Sequence, residues 1–445
     1  MNQFTHDSPL HSPSVKKTTP SVLAPVATHQ NSTQRDHLSV RTHSTADARS
    51  GGSYGFTYYE YSHLEERINR DLKTLVYSFE CRCPMAKIVA IILGGVYGRG
   101  EAGCFTDHSG TEKLYAPYEI VVVIKDMSAL QKSYLTQLIA TVIYGLKTKL
   151  NTSVRLIKVV CESNLYTLPS LPKWYELKWG HRVLWGANTV LAKIPFSKRP
   201  VFTAAEALQI LFTQGIALVQ AEREFNRLLR KKSALQSHSI ALVRIWRTLW
   251  QTYLICGAVY LILTRAYTAT FLAKLRVLRN LEVEDPFLSE IHFSEHYWKA
   301  LQYMFRCGNV PKAADIKSQF SEIFLIYEKF YFKVFSIYTK RTILDGRTFA
   351  NAVDRYYRAG LFSHEQSGVR YMVYNVMLLG LKGLRGVWKW YHPRYRLYAA
   401  MPGILLKNLP GRGRLVQLAG EALALSRQRY DKSRTIAFLS LWKSV

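Results

Sequence analysis

Ile91-Ile92-Leu93-Gly94-Gly95-Val96-Tyr97-Gly98-Arg99-Gly100-Glu101 is followed, after a polar stretch, by Pro117-Tyr118-Glu119-Ile120-Val121-Val122-Val123. The first segment opens as an apolar, β-rich run over 87–93 and stops at a glycine pair. That pattern reads as a buried strand entering a tight turn. Glycines let a backbone approach a phosphate closely, and a helix starting there would aim N–H groups at the anion. Arg99 adds a fixed cation. The second segment reads as a strand over 118–124, on which alternate residues share a face, so positions 117 and 119 project together. Carboxylates at such a pair would hold divalent ions against a triphosphate for in-line phosphoryl or nucleotidyl transfer. This chain offers Glu119 and, at the other position, Pro117.

Working outward, an amphipathic helix is expected over 58–79, with Leu64, Ile68, Leu72, Leu75, Val76 and Phe79 on one face and Pro84 as its stop. A helix over 128–150 and a third strand over 154–160 complete a small α/β unit. Thr203 and Glu206 form a capping box before a long helix over 204–232. Helical periodicity then runs through 239–280, 294–307, 311–339, 347–359, 366–391 and 413–430. The expected fold class is therefore α+β: a small mixed sheet with helices, followed by a large all-α region. The expected domains are a low-complexity, disordered tail over 1–55, an α/β domain over 56–165, a linker over 166–200 and a basic helical domain over 201–445.

The glycine turn resembles the polymerase-β-like nucleotidyltransferase superfamily. More narrowly, it is similar to a group of uncharacterised prokaryotic nucleotidyltransferase-domain proteins with a Gly-Gly-Tyr-Gly-Arg-Gly-Glu-Gly turn before an Asn-Asp-Tyr-Asp strand. Gly94, Gly95, Tyr97, Gly98, Arg99, Gly100 and Glu101 match that turn, with Val96 inserted. Val183 to Gly186, Ala207 to Phe212 and Ile255 to Leu261 resemble later segments of the group. The resemblance implies that Gly94, Gly95, Tyr97, Gly98, Arg99 and Glu101 bind a nucleoside triphosphate. It implies that Glu119 is a catalytic and metal-binding carboxylate, with Mg²⁺ as cofactor.

The departures weaken that implication. Pro117 replaces the first family carboxylate, and Arg155 stands at the nearest position for the third, where it could bind an anion instead. Thr213-Gln214 replaces an Asn-Arg pair, and no Asp follows Gly186 or Gly257. Asp107 or Glu112 could serve as a displaced ligand, although Ser109 and Gly110 suggest a solvated loop. The expected function is thus nucleotide binding with a degenerate metal site, or transfer of a nucleoside monophosphate to an acceptor if the site still works.

Composition supplies the alternative. The chain carries a formal charge of +29, of which the first 55 residues, with five Lys/Arg and three Asp, contribute only +2. A body this basic attracts polyanions such as nucleic acid or an anionic surface. Basic and aromatic residues alternate in Trp388-Lys389-Trp390-Tyr391-His392-Pro393-Arg394-Tyr395-Arg396, as in single-strand binders or in a helix with a solvated basic face. The six cysteines show no metal-site spacing and read as reduced thiols of a cytoplasmic protein. No leader or transmembrane span is expected; the uncharged run Thr248 to Thr264 reads as a buried helix.

Overall fold

A computed structural model describes residues 55–441, except 107–109, 148, 151, 198–199, 231–238, 307, 310, 344, 359–367, 385–386, 391, 407–411, 426–434, 436 and 439. The low-complexity tail expected over 1–55 lies almost wholly outside the described residues. Helix α1 (Ser62–Arg82) leads to β1 (Ile88–Gly94), the single turn α2 (Gly95–Gly98), and a hairpin of β2 (Cys104–Thr106) and β3 (Glu112–Leu114). Next come β4 (Tyr118–Ile124), α3 (Ala129–Leu146) and β5 (Val154–Cys161), then α4 (Pro172–Trp179) and β6 (Arg182–Gly186). The four-stranded sheet has the order β5-β4-β1-β6. β1 runs antiparallel to β4 and β6, and β4 runs parallel to β5, so the sheet is mixed. The architecture is α+β, as expected.

The alternation along the strands assigns the two sheet faces to two cores. Ile91, Leu93, Tyr118, Ile120, Val122 and Ile124 pack with α1 and α3. Ala90, Ile92, Val121, Val123 and Val160 join a second core that continues without a break into the helical region. A pleated strand covered on both sides must be apolar at consecutive positions, and β1 and β4 are, except at Glu119. Residues 166–200, read from the sequence as a linker, instead hold α4 and the edge strand β6.

The helical region contains α5 (Ala204–Arg230), α6 (Ser239–Leu263), α7 (Phe271–Glu284), α8 (Pro286–Glu290) and α9 (Phe293–Phe305). β7 (Gly308–Asn309), α10 (Ala313–Thr339), α11 (Gly346–Arg358), α12 (Val369–Leu379), α13 (Pro393–Leu405) and α14 (Arg412–Ala422) complete it. β7 adds a parallel strand to the β2–β3 hairpin. The long helix expected over 239–280 is broken. α6 ends at Leu263, Arg265 takes a left-handed backbone, and the Thr270 hydroxyl accepts from the Ala273 N–H to start α7. No helix among the described residues is long and apolar enough to cross a membrane, and the run from Thr248 falls within α6.

The basic–aromatic segment near 390 is partly internal. Arg396 is fully buried, and its guanidinium donates to Asn375 Oδ1 (2.7 Å) and to the carbonyls of Ala422 (3.0 Å) and Gly383 (2.5 Å). Burial without a carboxylate pushes it down to about 10. Arg396 therefore ties α12, α13 and α14 together and is withdrawn from any polyanion surface. Arg396→Ala would strand those acceptors and should cost about 3 kcal/mol or more in a denaturant titration; a loss under 1 kcal/mol would mean that water replaces the guanidinium.

Cys81, Cys83, Cys161 and Cys256 are free thiols, but Cys104 is disulfide-bonded, which corrects the reading of six reduced cysteines.

Candidate functional site

The end of β1 and the start of β4 meet as the sequence implies: Gly94 lies opposite Glu119 across the antiparallel ladder, and Arg155 lies beside Glu119 on β5. Gly95 has φ +64°, and a Cβ there would fall 2.9 Å from Glu119 Oε2. The positive φ favours glycine, whereas the Glu119 carboxylate, at the end of a flexible side chain, could move aside for a Cβ. A small cleft of about 70 Å³, open to solvent, lies over this point. Gly94, Gly95, Arg99 and Glu119 line it, together with Lys173, Trp174 and Glu176 of α4. That volume is well below the roughly 300–1,000 Å³ of an ordinary ligand pocket, so the cleft as it stands is a shallow indentation.

Within the cleft, Glu119 is ion-paired to Arg155, whose side chain is 60% exposed. The Nζ of Lys173 sits 5.3 Å from the Trp174 ring centroid, and that of Lys158 sits 5.5 Å from it. Of these cations, Lys173 lines the cleft.

Arg99 serves a different purpose from the one the turn suggests. Its Nε donates to Glu101 Oε2 (2.7 Å) and its Nη1 to Glu176 Oε2 (3.1 Å). Glu176 Oε1 also accepts from Lys274 Nζ (2.5 Å) and from the Tyr267 hydroxyl (2.5 Å). Glu101 Oε1 accepts from the backbone N–H of Phe271 (2.6 Å), the first residue of α7. Side chains 99, 101 and 274 are 2–6% exposed. Two carboxylates and two cations thus close a neutral, buried network. It joins the glycine turn to α4 and α7, leaving Arg99 no spare charge for a phosphate.

The electrostatics follow from burial. Burial alone would raise the Glu176 carboxyl, but Lys274 and Arg99 more than offset it and hold it below its ordinary value. At Glu101, burial prevails over Arg99 and pushes the carboxyl up. Burial also pushes Lys274 down, against the pull of Glu176. Tyr267 is raised by burial and by the neighbouring Glu176.

Further expectations are corrected. Tyr97 is buried in the α1–α3 core, where its hydroxyl donates to the Ala116 carbonyl (3.0 Å), so it does not reach a ligand in the cleft. Gly98 is buried against Gly180 and His181. The helix after the glycine pair is one turn long, too short to gather N–H groups and a dipole for an anion. Glu112 lies in β3, paired with His63 of α1, while Asp107 lies outside the described residues. Gln214 is also structural, its amide donating to Thr252 Oγ1 (2.7 Å) and tying α5 to α6.

Among the described residues, the donor set at the cleft does not fit a divalent cation. Such ions need several hard oxygen ligands. Glu119 is engaged by Arg155 and Glu176 by three donors of the chain itself, while positions 117 and 155 hold Pro and Arg. The sequence reading missed Glu176, Tyr267, Lys274, Lys173 and Trp174. The Trp174-Tyr175-Glu176 segment after Pro172 was open to view, but nothing local ties it to a turn 77 residues earlier. Compared with protein-family models, curated proteins and solved structures, the chain matches none.

Proposed function

We propose that this chain is a nucleotidyltransferase-like protein that binds the phosphates of a nucleoside triphosphate without transferring its nucleotidyl group. The observation that supports this most is the fate of the cleft's carboxylates: both Glu119 and Glu176 are held by the chain's own cations. Where a metal-dependent site would need free carboxylates, Glu119 is paired with Arg155, and Lys173 lines the cleft beside it. Arginine and lysine neutralise phosphate oxygens but do not activate a nucleophile as a metal does.

Calorimetric titration with ATP, GTP, CTP and UTP, first with Mg²⁺ and then with EDTA, tests it. Binding of similar strength in both conditions is expected. Binding that vanishes in EDTA would overturn the non-catalytic reading and direct attention to nucleotidyl acceptors. Absence of binding in both would move the assignment to the basic surface, to be read as salt-dependent retention on heparin or RNA.

A further inference from the structure

Helix α12 is built inside out. Of its eleven residues only Tyr371 and Asn375 are buried. Asn375 makes polar bonds there: its amide donates to the Tyr371 carbonyl (2.9 Å), and its Oδ1 accepts from the buried Arg396 (2.7 Å). The apolar side chains face outward instead. Val369, Val373 and Met377 recur every four residues, a spacing that puts them on one side of the helix. Leu381, in the 3-10 turn Gly380–Leu384 that follows, adds a fourth, and all four are between 52% and 79% exposed. A helix in contact with water alone carries the reverse pattern, so this stripe marks a surface that something apolar covers.

The charges of the same segment say what covers it. Arg370 and Lys382 are exposed near its two ends. The 3-10 turn Val387–Trp390 packs on α12, and in it Lys389 Nζ lies 5.2 Å from the ring centroid of the exposed Trp390. From Gln366 to Gly420 the sequence holds nine Lys/Arg and no Asp or Glu. A second copy of this chain would set like charges against one another. A nucleic acid would meet the cations but gain little from aliphatic side chains, since bases stack on rings. Anionic lipid matches both halves, with headgroups for the cations, acyl chains for valine, methionine and leucine, and tryptophan at the boundary. Beside the stripe opens a groove of about 230 Å³, apolar except for Lys382 and Ser440.

We propose that α12 and the turn after it are a docking surface for an anionic membrane. Val369, Val373, Met377 and Leu381 enter the acyl region while Arg370, Lys382 and Lys389 stay among the headgroups. At about 1.5 Å per residue α12 is roughly 16 Å long, half of a hydrocarbon core of roughly 30 Å, so it lies along the surface. The inference concerns residues outside the cleft and goes beyond the nucleotide reading.

The test is co-sedimentation of the full chain with vesicles of phosphatidylcholine alone and of phosphatidylcholine with about one third phosphatidylserine. Wild type should bind the mixed vesicles about tenfold or more tighter than the neutral ones. Met377→Gln and Leu381→Gln should each weaken that binding by about tenfold without changing the charge. Both positions are largely exposed, so the melting temperature should stay at the wild-type value, and either variant decides the matter should the other fold poorly. Wild type that ignores the mixed vesicles would overturn the proposal, as would binding that both variants retain in full. Wild type held by RNA but not by vesicles would assign the cations to nucleic acid. A dimer in sedimentation velocity that both substitutions dissolve, with the vesicles ignored, would assign the stripe to a second copy. Either of these two results also overturns the membrane surface.

Discussion

Arg99→Met should lower the free energy of unfolding by about 3–5 kcal/mol, because it leaves Glu101 and Glu176 facing each other's surroundings with a single buried cation, Lys274. The measurement is a urea titration at neutral pH with the slope held in common. A buried charge without its partner costs more than the pair contributes, so the remedy is to remove all four charges. The quadruple variant Arg99→Met, Glu101→Gln, Glu176→Gln, Lys274→Met should recover much of the loss, a non-additivity that identifies a closed network. Equal stability of Arg99→Met and wild type would return Arg99 to the role of ligand contact.

The same network predicts a pH dependence. Glu176 is held below its ordinary value of 4.5 in the fold. Its contribution is therefore fully present above the unfolded value and disappears as pH falls through the depressed folded value. The stability gap between wild type and Glu176→Gln should be widest near neutrality and should close below about pH 4. A gap independent of pH would mean that Glu176 acts through packing and not through its charge.

Gly98→Ala should be comparably damaging. A Cβ at Gly98 would lie 2.5 Å from the Leu93 carbonyl oxygen and 2.9 Å from that of Gly180. Both are backbone atoms, fixed by the end of β1 and by the passage from α4 to β6, so neither can turn aside as a side chain would. Overpacking usually costs about 1–3 kcal/mol, and the rigid neighbours put this case at the upper end. A thermal melt within a degree of wild type would show that the two backbones can separate without penalty.

How much of this was legible in the sequence depends on the range over which the signal acts. Strands β1, β4 and β5 were read within a residue or so, because short apolar runs bounded by Gly or by polar turns have few alternatives. The Thr203–Glu206 capping box was also legible, and both of its hydrogen bonds form (2.7 and 3.2 Å). The break between α6 and α7 was not, since no Gly or Pro marks it and the left-handed residue is an arginine. α13 was missed because it carries Pro402 and Gly403 inside a helix that tertiary burial sustains. β2 and β3 were read as a solvated loop because each is only three residues long.

The site divides in the same way. The meeting of Gly94 and Glu119 follows from strand order, and the Glu119–Arg155 pair from their adjacency in the sheet. The partners of Arg99 and Glu101 do not. Glu176 lies 77 residues beyond Arg99, and Phe271 lies 170 beyond Glu101, so a local reading assigned both side chains to a ligand when distant segments of the chain had claimed them. A motif can keep its letters while its side chains are recruited for scaffolding.

The sharing of β1 and β4 between two cores bears on anyone hoping to excise the α/β part as a minimal fragment. Cutting near residue 200 would bare Ala90, Ile92, Val121, Val123 and Val160 along one whole side of the sheet. It would also remove Tyr267, Phe271 and Lys274 from their carboxylates. Such a fragment would be expected to self-associate through that side.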